Sequence, residues 1–263
     1  MHQATKRKLL RDNSPRNRGI KQAQLRLFLD SKKTSPRNEH TARLRRFFWQ
    51  YYEQHGRHFP WRRKRTSAFH LLVAETLLKQ TKASDVVPVW LDFSDRYPTP
   101  ASLARARKET LLRLLEPLGL QRQRFVALTS MAKAIVSEFS GRVPREIDDL
   151  LGLPYVGLYS ACSLACFHYG ARVPIVDANI LRILGRLTGD DFGRDLRRNH
   201  HVWALAWAIL PRERFAAHNY GLLDFSALVC IARNPACTRC ALRLRCVYGQ
   251  SRTHEGGGRP SRG

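Results

Sequence analysis

A chain of 263 residues, 43% of them hydrophobic, is long enough to bury one large core or two small ones, which excludes a wholly disordered protein. Its 46 lysines and arginines against 21 aspartates and glutamates give a net charge of +25, and a soluble protein this basic usually binds a polyanion. Nucleic acid is the first candidate partner and an anionic membrane surface the second. A basic architectural protein would share the charge, so charge alone defines no chemistry. No run of 18 apolar residues is present, which argues against a membrane span.

The two ends of the chain are predicted to be disordered tails. Residues 1 to about 40 are basic, contain two prolines and have only one short apolar stretch, at residues 25–29. Such a tail either attracts DNA phosphate or serves as a solubilising extension. Residues 249–263 are rich in glycine. Because the N-terminus lacks the apolar core of a secretion signal, we expect a reducing compartment, where cysteines serve as metal ligands or core residues before disulfides.

Between the tails the apolar residues recur with a helical period, and no segment alternates convincingly with a period of two. Proline and glycine separate the helical segments, as at Pro117 and Gly119 and at Gly152 and Pro154. The sequence therefore predicts an all-α fold. The predicted helical segments lie near residues 71–78, 111–115, 125–139, 160–167, 179–187, 201–209 and 222–229.

Residues 147–169 predict two helices joined by a tight turn, with the first helix ending at Gly152. Backbone N–H groups at such a turn and at the start of the next helix can bind a DNA phosphate without regard to base sequence. The alternative is an ordinary helical hairpin inside a core. The turn consists of Leu153, Pro154, Tyr155, Val156 and Gly157.

Asp177 opens a predicted helix eighteen residues after Tyr159. An aspartate at the start of a helix is most often only an N-cap. Downstream of a hairpin that grips DNA it also suits cleavage of an N-glycosidic bond, which develops positive charge on the sugar. One carboxylate near C1′ can stabilise that charge or position water, once the target base has left the stack.

The C-terminal cysteines have the spacing C-x6-C-x2-C-x5-C. A zinc site built of two knuckles shows two C-x2-C pairs, and only one such pair is present, so the uneven spacing favours a [4Fe–4S] cluster over zinc. Arginines lie between these cysteines, among them Arg239, which predicts a phosphate-binding surface. Cys162 and Cys166 share one helical face and are interpreted as small buried residues. The four cysteines of the cluster motif are Cys230, Cys237, Cys240 and Cys246.

Together these segments resemble the endonuclease III / MutY superfamily of helix-hairpin-helix DNA glycosylases, from about residue 59 to residue 246. The resemblance implies a two-domain helix-hairpin-helix glycosylase fold with a C-terminal [4Fe–4S] cluster loop. Residues 41–66 plus 175–248 would form the iron–sulfur cluster domain, and residues 67–174 the six-helix domain with the hairpin. The matching segments are FPWR (59–62), AETLLKQT (74–81), LPYVGLY (153–159), VDANILRI (176–183), LLDFSALVC (222–230) and the cysteine loop.

The resemblance also implies roles for single residues. Asp177 falls on the family's catalytic aspartate. Gln80 falls on the polar residue that similar enzymes insert into the gap left by the flipped base. Glu75 falls on a pocket glutamate found in MutY and in mismatch-specific thymine glycosylases. Arg62, at the end of FPWR, and Arg239 are predicted to contact DNA.

Two positions depart from relatives in an informative way. Endonuclease III relatives carry at position 159 a lysine whose amine attacks C1′ and leads to strand cleavage. Tyr159 cannot form that imine, which predicts hydrolysis by water without lyase activity. MutY proteins usually have serine here, and T·G mismatch glycosylases have tyrosine. The family turn is usually LPGVG, so Tyr155 replaces a glycine, and we expect it either to shift the hairpin or to contact the DNA sugar-phosphate.

The sequence therefore predicts a monofunctional DNA glycosylase of base excision repair that removes thymine or uracil mispaired with guanine. The alternatives are adenine excision opposite 8-oxoguanine, excision of a modified base, a non-enzymatic DNA-binding protein and a zinc-bearing RNA-binding protein. Adenine excision is disfavoured because MutY enzymes typically continue with a further domain, and few residues follow the cysteine loop. The expected partner is double-stranded DNA, with no membrane, and we expect an intracellular, DNA-associated monomer.

Overall fold

A computed structural model describes residues 15–34, 38–193 and 199–252. Within these ranges every regular element is a helix and no strand occurs, which confirms the all-α prediction. None of the described helices is long and apolar enough to span a bilayer. The α-helices are α1 (Pro15–Ser31), α2 (Glu39–His55), α3 (Ala68–Leu77), α4 (Ala83–Arg96), α5 (Pro100–Ala104), α6 (Lys108–Leu115), α7 (Gln121–Glu138), α8 (Ile147–Gly152), α9 (Leu158–Phe167), α10 (Ala178–Thr188), α11 (His200–Ile209), α12 (Phe215–Leu228) and α13 (Val247–Ser251).

The chain forms two compact units. The first contains the described residues up to Leu25 together with residues 58–171, and the second contains residues 26–57 and the described residues from Arg172 onward. The sequence predicts domain boundaries at 66/67 and 174/175, whereas the units change at 57/58 and 171/172. Helix α1 contains one of the boundaries, since residues up to Leu25 belong to the first unit and residues from Arg26 to the second.

The prediction of a disordered N-terminal tail does not hold for residues 15–31, which form α1. Phe28 is 1% exposed, and its ring packs against Trp203 and Trp207 with both centroid distances at 5.2 Å. Trp207 Nε1 also donates a hydrogen bond to the Phe28 carbonyl at 3.1 Å. The short apolar stretch at residues 25–29 therefore provides the buried contact of this helix. The many charged residues around the stretch made that contact hard to predict from the sequence.

The C-terminal tail is also shorter than predicted, because α13 continues to Ser251 and includes the buried Gly249. Residues 1–14 and 35–37 of the predicted N-terminal tail, and residues 253–263 of the C-terminal one, lie outside the described residues.

Helix α3 is the central helix of the first unit. It begins at the N-cap Ser67, whose hydroxyl accepts from the His70 N–H at 3.2 Å. Nine of its residues, from Ala68 to Leu77, are buried, as expected for a helix that is apolar on all sides. It packs against α4, α7 and α9, and it carries Glu75 near its C-terminal end.

Helices α2 and α12 form the main helix pair of the second unit. Gly221 makes this pairing possible, because a Cβ there would lie 1.9 Å from the carbonyl oxygen of Phe48. The buried carboxylate of Asp224 accepts from Arg57 Nε at 2.7 Å and from the Arg57 N–H at 2.8 Å. Helix α10 packs against α12 and α13, so the helix that begins after Asp177 lies beside the C-terminal segment.

Candidate active site and cysteine loop

Glu75 is a buried carboxylate in the first unit, with 9% of its surface exposed. Ser163 of α9, which is fully buried, donates its hydroxyl to Oε1 of Glu75. Lys79 follows Glu75 by one helical turn; burial lowers the pKa of Lys79, and the charge of Glu75 opposes this shift. The carboxylate is therefore oriented by α9 rather than facing open solvent.

Tyr159 is half-buried in the first turn of α9, one helical turn before Ser163. Residues four apart lie on the same face of an α-helix. The helix that orients the carboxylate of Glu75 therefore presents a phenol on the same side. The two residues predicted to line the base pocket are therefore linked by α9, which carries Tyr159 and donates a hydrogen bond to Glu75.

Gln80 lies at the tip of an exposed turn after α3, with a left-handed backbone at φ 58°. Arg124, which is 3% exposed, holds this turn from inside. Its guanidinium donates to the Leu77 carbonyl at 2.7 Å, the Lys79 carbonyl at 3.0 Å and the Thr81 hydroxyl at 2.6 Å. A left-handed backbone is costly for a residue other than glycine, and these bonds to Arg124 hold the turn around it.

The predicted hairpin is formed by α8 and α9. Leu153 and Val156 are buried, at 0% and 3% exposed, so their side chains belong to the core and only their backbone can contact DNA. Tyr155 has φ 61°, the left-handed conformation that a glycine would adopt there. Gly157 is the exposed N-cap of α9 and provides no side-chain cap, so the first-turn N–H groups have no side-chain partner from the cap.

Asp177 is the N-cap of α10 in the second unit. Its Oδ1 accepts from the N–H groups of Asn179 and Ile180 at 2.9 and 2.8 Å. Its Oδ2 accepts from the side-chain amide of Asn179 at 2.8 Å. Three donors therefore fix the orientation of a half-buried carboxylate, and a capping role and a chemical role are compatible at this position.

Arginines of α10 connect the Asp177 region to the cysteine loop. Arg182 donates from Nη1 to Oδ1 of Asn179 at 2.9 Å and from Nε to the Cys230 carbonyl at 3.1 Å. Arg186 donates to the sulfur of Cys230 at 3.4 Å and to the Ile231 carbonyl at 2.8 Å. The cysteine loop is thus attached to the helix that Asp177 caps.

The four cysteines of the loop line one cavity together with apolar residues of α10 and α12. Burial raises the pKa of Cys240 and of Cys246, and the charges of Cys230 and Cys237 add to both shifts. In the described part of the chain no three histidine, cysteine or acidic side chains converge on one ion position. A [4Fe–4S] cluster takes one thiolate at each of its four irons, and the four loop cysteines that line this cavity can supply them.

Two arginines predicted to contact DNA lie on short 3₁₀ helices. Arg62 ends the helix Pro60–Arg62 in the first unit, with its guanidinium carbon 5.2 Å from the Phe59 ring centroid. Arg239 ends the helix Cys237–Arg239 of the cysteine loop and is exposed. Both positions are compatible with a phosphate contact.

Residues 73–200 match the HhH-GPD superfamily of base excision DNA repair proteins. A thymine-DNA glycosylase of Aeropyrum pernix is 37% identical over 211 residues, which cover 78% of this chain and 93% of that protein. The chain belongs to the HhH-GPD superfamily. An adenine DNA glycosylase of Mycolicibacterium smegmatis is 37% identical over 193 residues, 73% of this chain and 65% of that protein. A solved thermostable thymine-DNA glycosylase has a TM-score of 0.75 and 28% identity, covering 81% of this chain and 100% of that one.

Membership of the HhH-GPD superfamily confirms the predicted family and the enzyme class, DNA glycosylase. The predicted site residues divide between the two compact units. Glu75, Gln80, Arg62, Tyr159 and the hairpin turn belong to the first. The second contains Asp177, Arg239 and the four loop cysteines.

Sequence reasoning missed four residues that position the predicted ones. Arg124 supports the Gln80 turn, while Asn179 and Arg182 connect Asp177 to the cysteine loop. Ser163 orients Glu75. Asn179 and Arg182 lie inside the VDANILRI segment, and their mutual i,i+3 spacing on one helix face was the available signal.

Proposed function

We propose that this HhH-GPD protein is a monofunctional DNA glycosylase that hydrolyses the N-glycosidic bond of thymine or uracil mispaired with guanine. The observation that carries the proposal is the arrangement of side chains on α9. Tyr159 supplies a phenol, and Ser163 orients the carboxylate of Glu75. A phenol and a carboxylate can hydrogen-bond a flipped pyrimidine, whereas neither forms the imine that strand cleavage by a lyase requires. The thymine-DNA glycosylase relatives support the same substrate class.

Asp177 is proposed as the catalytic carboxylate. As the N-glycosidic bond breaks, its electron pair leaves with the base, and the sugar becomes oxocarbenium-like. The carboxylate, oriented by Asn179 and Ile180, stabilises this charge and directs a water molecule to C1′. The water oxygen bonds to C1′ and its proton neutralises the departing pyrimidine anion, which leaves a free base and an intact abasic strand.

DNA binding is assigned to surfaces on both units. The N–H groups at the hairpin turn and at the start of α9 bind one phosphate, and Arg62 and Arg239 contact others. Gln80, on its exposed left-handed turn, fills the gap left by the flipped base. The net charge of +25 favours binding to double-stranded DNA, on which we propose that the protein acts inside the cell as a monomer.

The loop cysteines are proposed to hold a [4Fe–4S] cluster. Their thiolates fit its four irons, and Arg186 donates a hydrogen bond to one of them, on Cys230. When bound, the cluster would supply a rigid cross-link that fixes the loop carrying Arg239. Because Arg182 bonds the Cys230 carbonyl, the same cross-link would also stabilise α10.

Adenine excision opposite 8-oxoguanine is the second candidate, and Glu75 is the observation that favours it. Adenine departs well only when protonated, and a buried carboxyl group in the base pocket could supply the proton. A glycosylase for a modified base would use the same pocket. These candidates differ in substrate and share the roles of Asp177 and the hairpin.

Base excision on labelled duplexes tests the proposal. The duplexes contain T·G, U·G, adenine opposite 8-oxoguanine, or matched pairs, and strand scission is read before and after alkali. We expect scission at T·G and U·G only after alkali, and its loss in Asp177→Asn. Activity on the adenine duplex alone would favour the second candidate, and scission without alkali would contradict the role of Tyr159.

A further inference from the structure

Two lysines hold the carbonyl side of the hairpin turn. Lys21 of α1 is 9% exposed, and its Nζ donates to the carbonyls of Leu151 and Leu153 at 2.7 and 3.0 Å. Lys79 donates from Nζ to the carbonyl of Tyr155 at 3.2 Å. All five residues belong to the first unit. Every second residue from Leu151 to Tyr155 therefore has its carbonyl bound by a lysine ammonium group.

Lys21 provides hydrogen-bond donors for carbonyls at the C-terminal end of α8. Helix α8 has only six residues, and the last carbonyls of any α-helix lack partners within the helix. Lys21 supplies donors to the carbonyls at its C-terminal end, where a positive charge is also favoured by the helix dipole. Because each peptide unit is planar, fixing the carbonyls of Leu151 and Tyr155 also fixes the directions of the N–H groups of Gly152 and Val156, whereas the Leu153 carbonyl precedes Pro154, which has no N–H.

The two lysines also concentrate positive charge at the hairpin. Burial, and then the charge of Lys79, lower the pKa of Lys21 to about 8. The nearby carboxylate of Glu75 raises the pKa of Lys79, and the charge of Arg124 lowers it. Among the described residues no carboxylate acts on Lys21 in this way. A nearby anion would therefore stabilise the protonated form of Lys21, and a DNA phosphate bound at the turn is such an anion.

We propose that helix α1 is part of the DNA-binding hairpin, and that Lys21 is a positioning residue which holds the turn in its phosphate-binding conformation and adds a charge that the phosphate neutralises. This inference rests on the proposed function, in which the hairpin binds a phosphate. It assigns to α1 a role that a disordered basic tail could not have. Helix α1 acts on the hairpin through the buried Lys21, in addition to the general attraction of its positive charge for DNA.

Lys21→Gln tests this role against Arg26→Gln, which removes the same charge from an exposed position on the same helix. Binding to an undamaged and a T·G duplex is measured by fluorescence anisotropy over a range of salt concentrations at pH 7. For Lys21→Gln we expect about tenfold weaker binding to both duplexes at 0.1 M salt and a log–log salt slope smaller by about one. We expect Lys21→Arg to retain most of the affinity, and Arg26→Gln to have the smaller effect.

A second measurement does not depend on the stability of the glutamine variant. Calorimetric titration with duplex at pH 8, in buffers of different ionisation enthalpy, should show proton uptake by the wild type and less uptake by Lys21→Arg. Equal uptake by both proteins, or equal affinity and salt slope for Lys21→Gln and Arg26→Gln, would overturn the inference. If the wild type excises no base while Lys21→Gln still weakens DNA binding, the proposed function fails and the hairpin inference stands. If the wild type excises thymine or uracil while Lys21→Gln binds DNA normally, the hairpin inference fails and the proposed function stands.

Discussion

Asn179 donates its side-chain amide to Oδ2 of Asp177 at 2.8 Å, while its own Oδ1 accepts from Arg182 at 2.9 Å. Arg182 in turn donates to the Cys230 carbonyl at 3.1 Å. The proposed catalytic carboxylate is therefore connected to a cysteine of the proposed cluster loop by side chains of a single helix. Its orientation depends on this chain of contacts, and each member of the chain can be altered separately.

Asn179→Ala should lower excision without weakening DNA binding. The variant keeps the two backbone donors to Asp177 and loses the side-chain donor to Oδ2, so the carboxylate can rotate away from the sugar. A small misplacement of a catalytic group can cost about 10²-fold in rate. Rapid-quench measurements at saturating enzyme would report the rate, and anisotropy the affinity. A rate within twofold of wild type would show that the backbone donors suffice.

Asp177→Asn separates the chemical role of Asp177 from its capping role. Asparagine caps a helix about as well as aspartate, so the melting temperature should stay close to the wild-type value. It carries no charge, so it cannot stabilise the sugar cation, and we expect a rate loss of at least about 10²-fold. Asp177→Ala is the matched comparison, because it removes the cap as well and should cost about 1 kcal/mol of stability. Wild-type excision by Asp177→Asn would reduce Asp177 to a cap.

The fold class and the position of the hairpin could be predicted because their signals are local in sequence. Apolar residues recur at helical spacing, and the turn from Leu153 to Gly157 is one contiguous segment. The same holds for the cysteine loop. Helix α1 was missed because its dense charge dominated the interpretation, while the few apolar residues that anchor it, Phe28 above all, depend on partners far along the chain.

The supporting residues Lys21 and Arg124 were unpredictable for a physical reason. Lys21 and Leu151 are 130 positions apart, and no local pattern signals that one will bind the carbonyl of the other. Arg124 is one of 46 basic residues, and only its burial distinguishes it from those on the surface. At Tyr155 the sequence showed the loss of a glycine, but the structure was needed to show that tyrosine adopts the same left-handed backbone.

Tyr159→Lys should convert the protein into a lyase. The substitution places an amine in the first turn of α9, where lysine-bearing relatives form an imine with C1′. We expect borohydride to trap a covalent complex with T·G or U·G duplex, and strand scission to occur without alkali. The wild type and Tyr159→Phe serve as controls and should show neither. Trapping of the wild type would mean that another amine of the protein attacks the sugar.

Cys240→Ser should remove most of the iron from the protein. A [4Fe–4S] cluster needs one thiolate for each iron, and Cys240 lines the cavity shared by the loop cysteines. Wild-type protein should be brown and contain about four irons per chain. Cys162→Ala is the matched control, since Cys162 is fully buried on α9 and outside the loop, and its iron content should equal the wild-type value. Colourless protein with one zinc per chain would contradict the cluster.

Acid should destabilise the second unit through His218. This side chain is fully buried beside the Phe48 ring, with Nδ1 3.2 Å from the Arg45 carbonyl oxygen. Burial lowers its pKa from 6.5 to about 3, against the hydrogen bond with the Arg45 carbonyl, which raises it, while the charges of Arg45 and Arg172 lower it further. Between these values the unfolded chain binds a proton and the folded chain does not. Protonation of His218 in the unfolded chain therefore costs no stability well above pH 6.5. Below that pH the free energy of unfolding falls, by about 2 kcal/mol at pH 5.

Denaturant unfolding at pH 7.5 and pH 5.0 measures this loss. His218→Gln should be less stable than wild type at pH 7.5, because it replaces a packed ring in the core, and its stability should fall less on acidification. His201→Gln is the control, because His201 is exposed on α11, and this variant should keep the wild-type pH dependence. If His218→Gln and wild type lose the same free energy of unfolding between the two pH values, other groups cause the acid sensitivity.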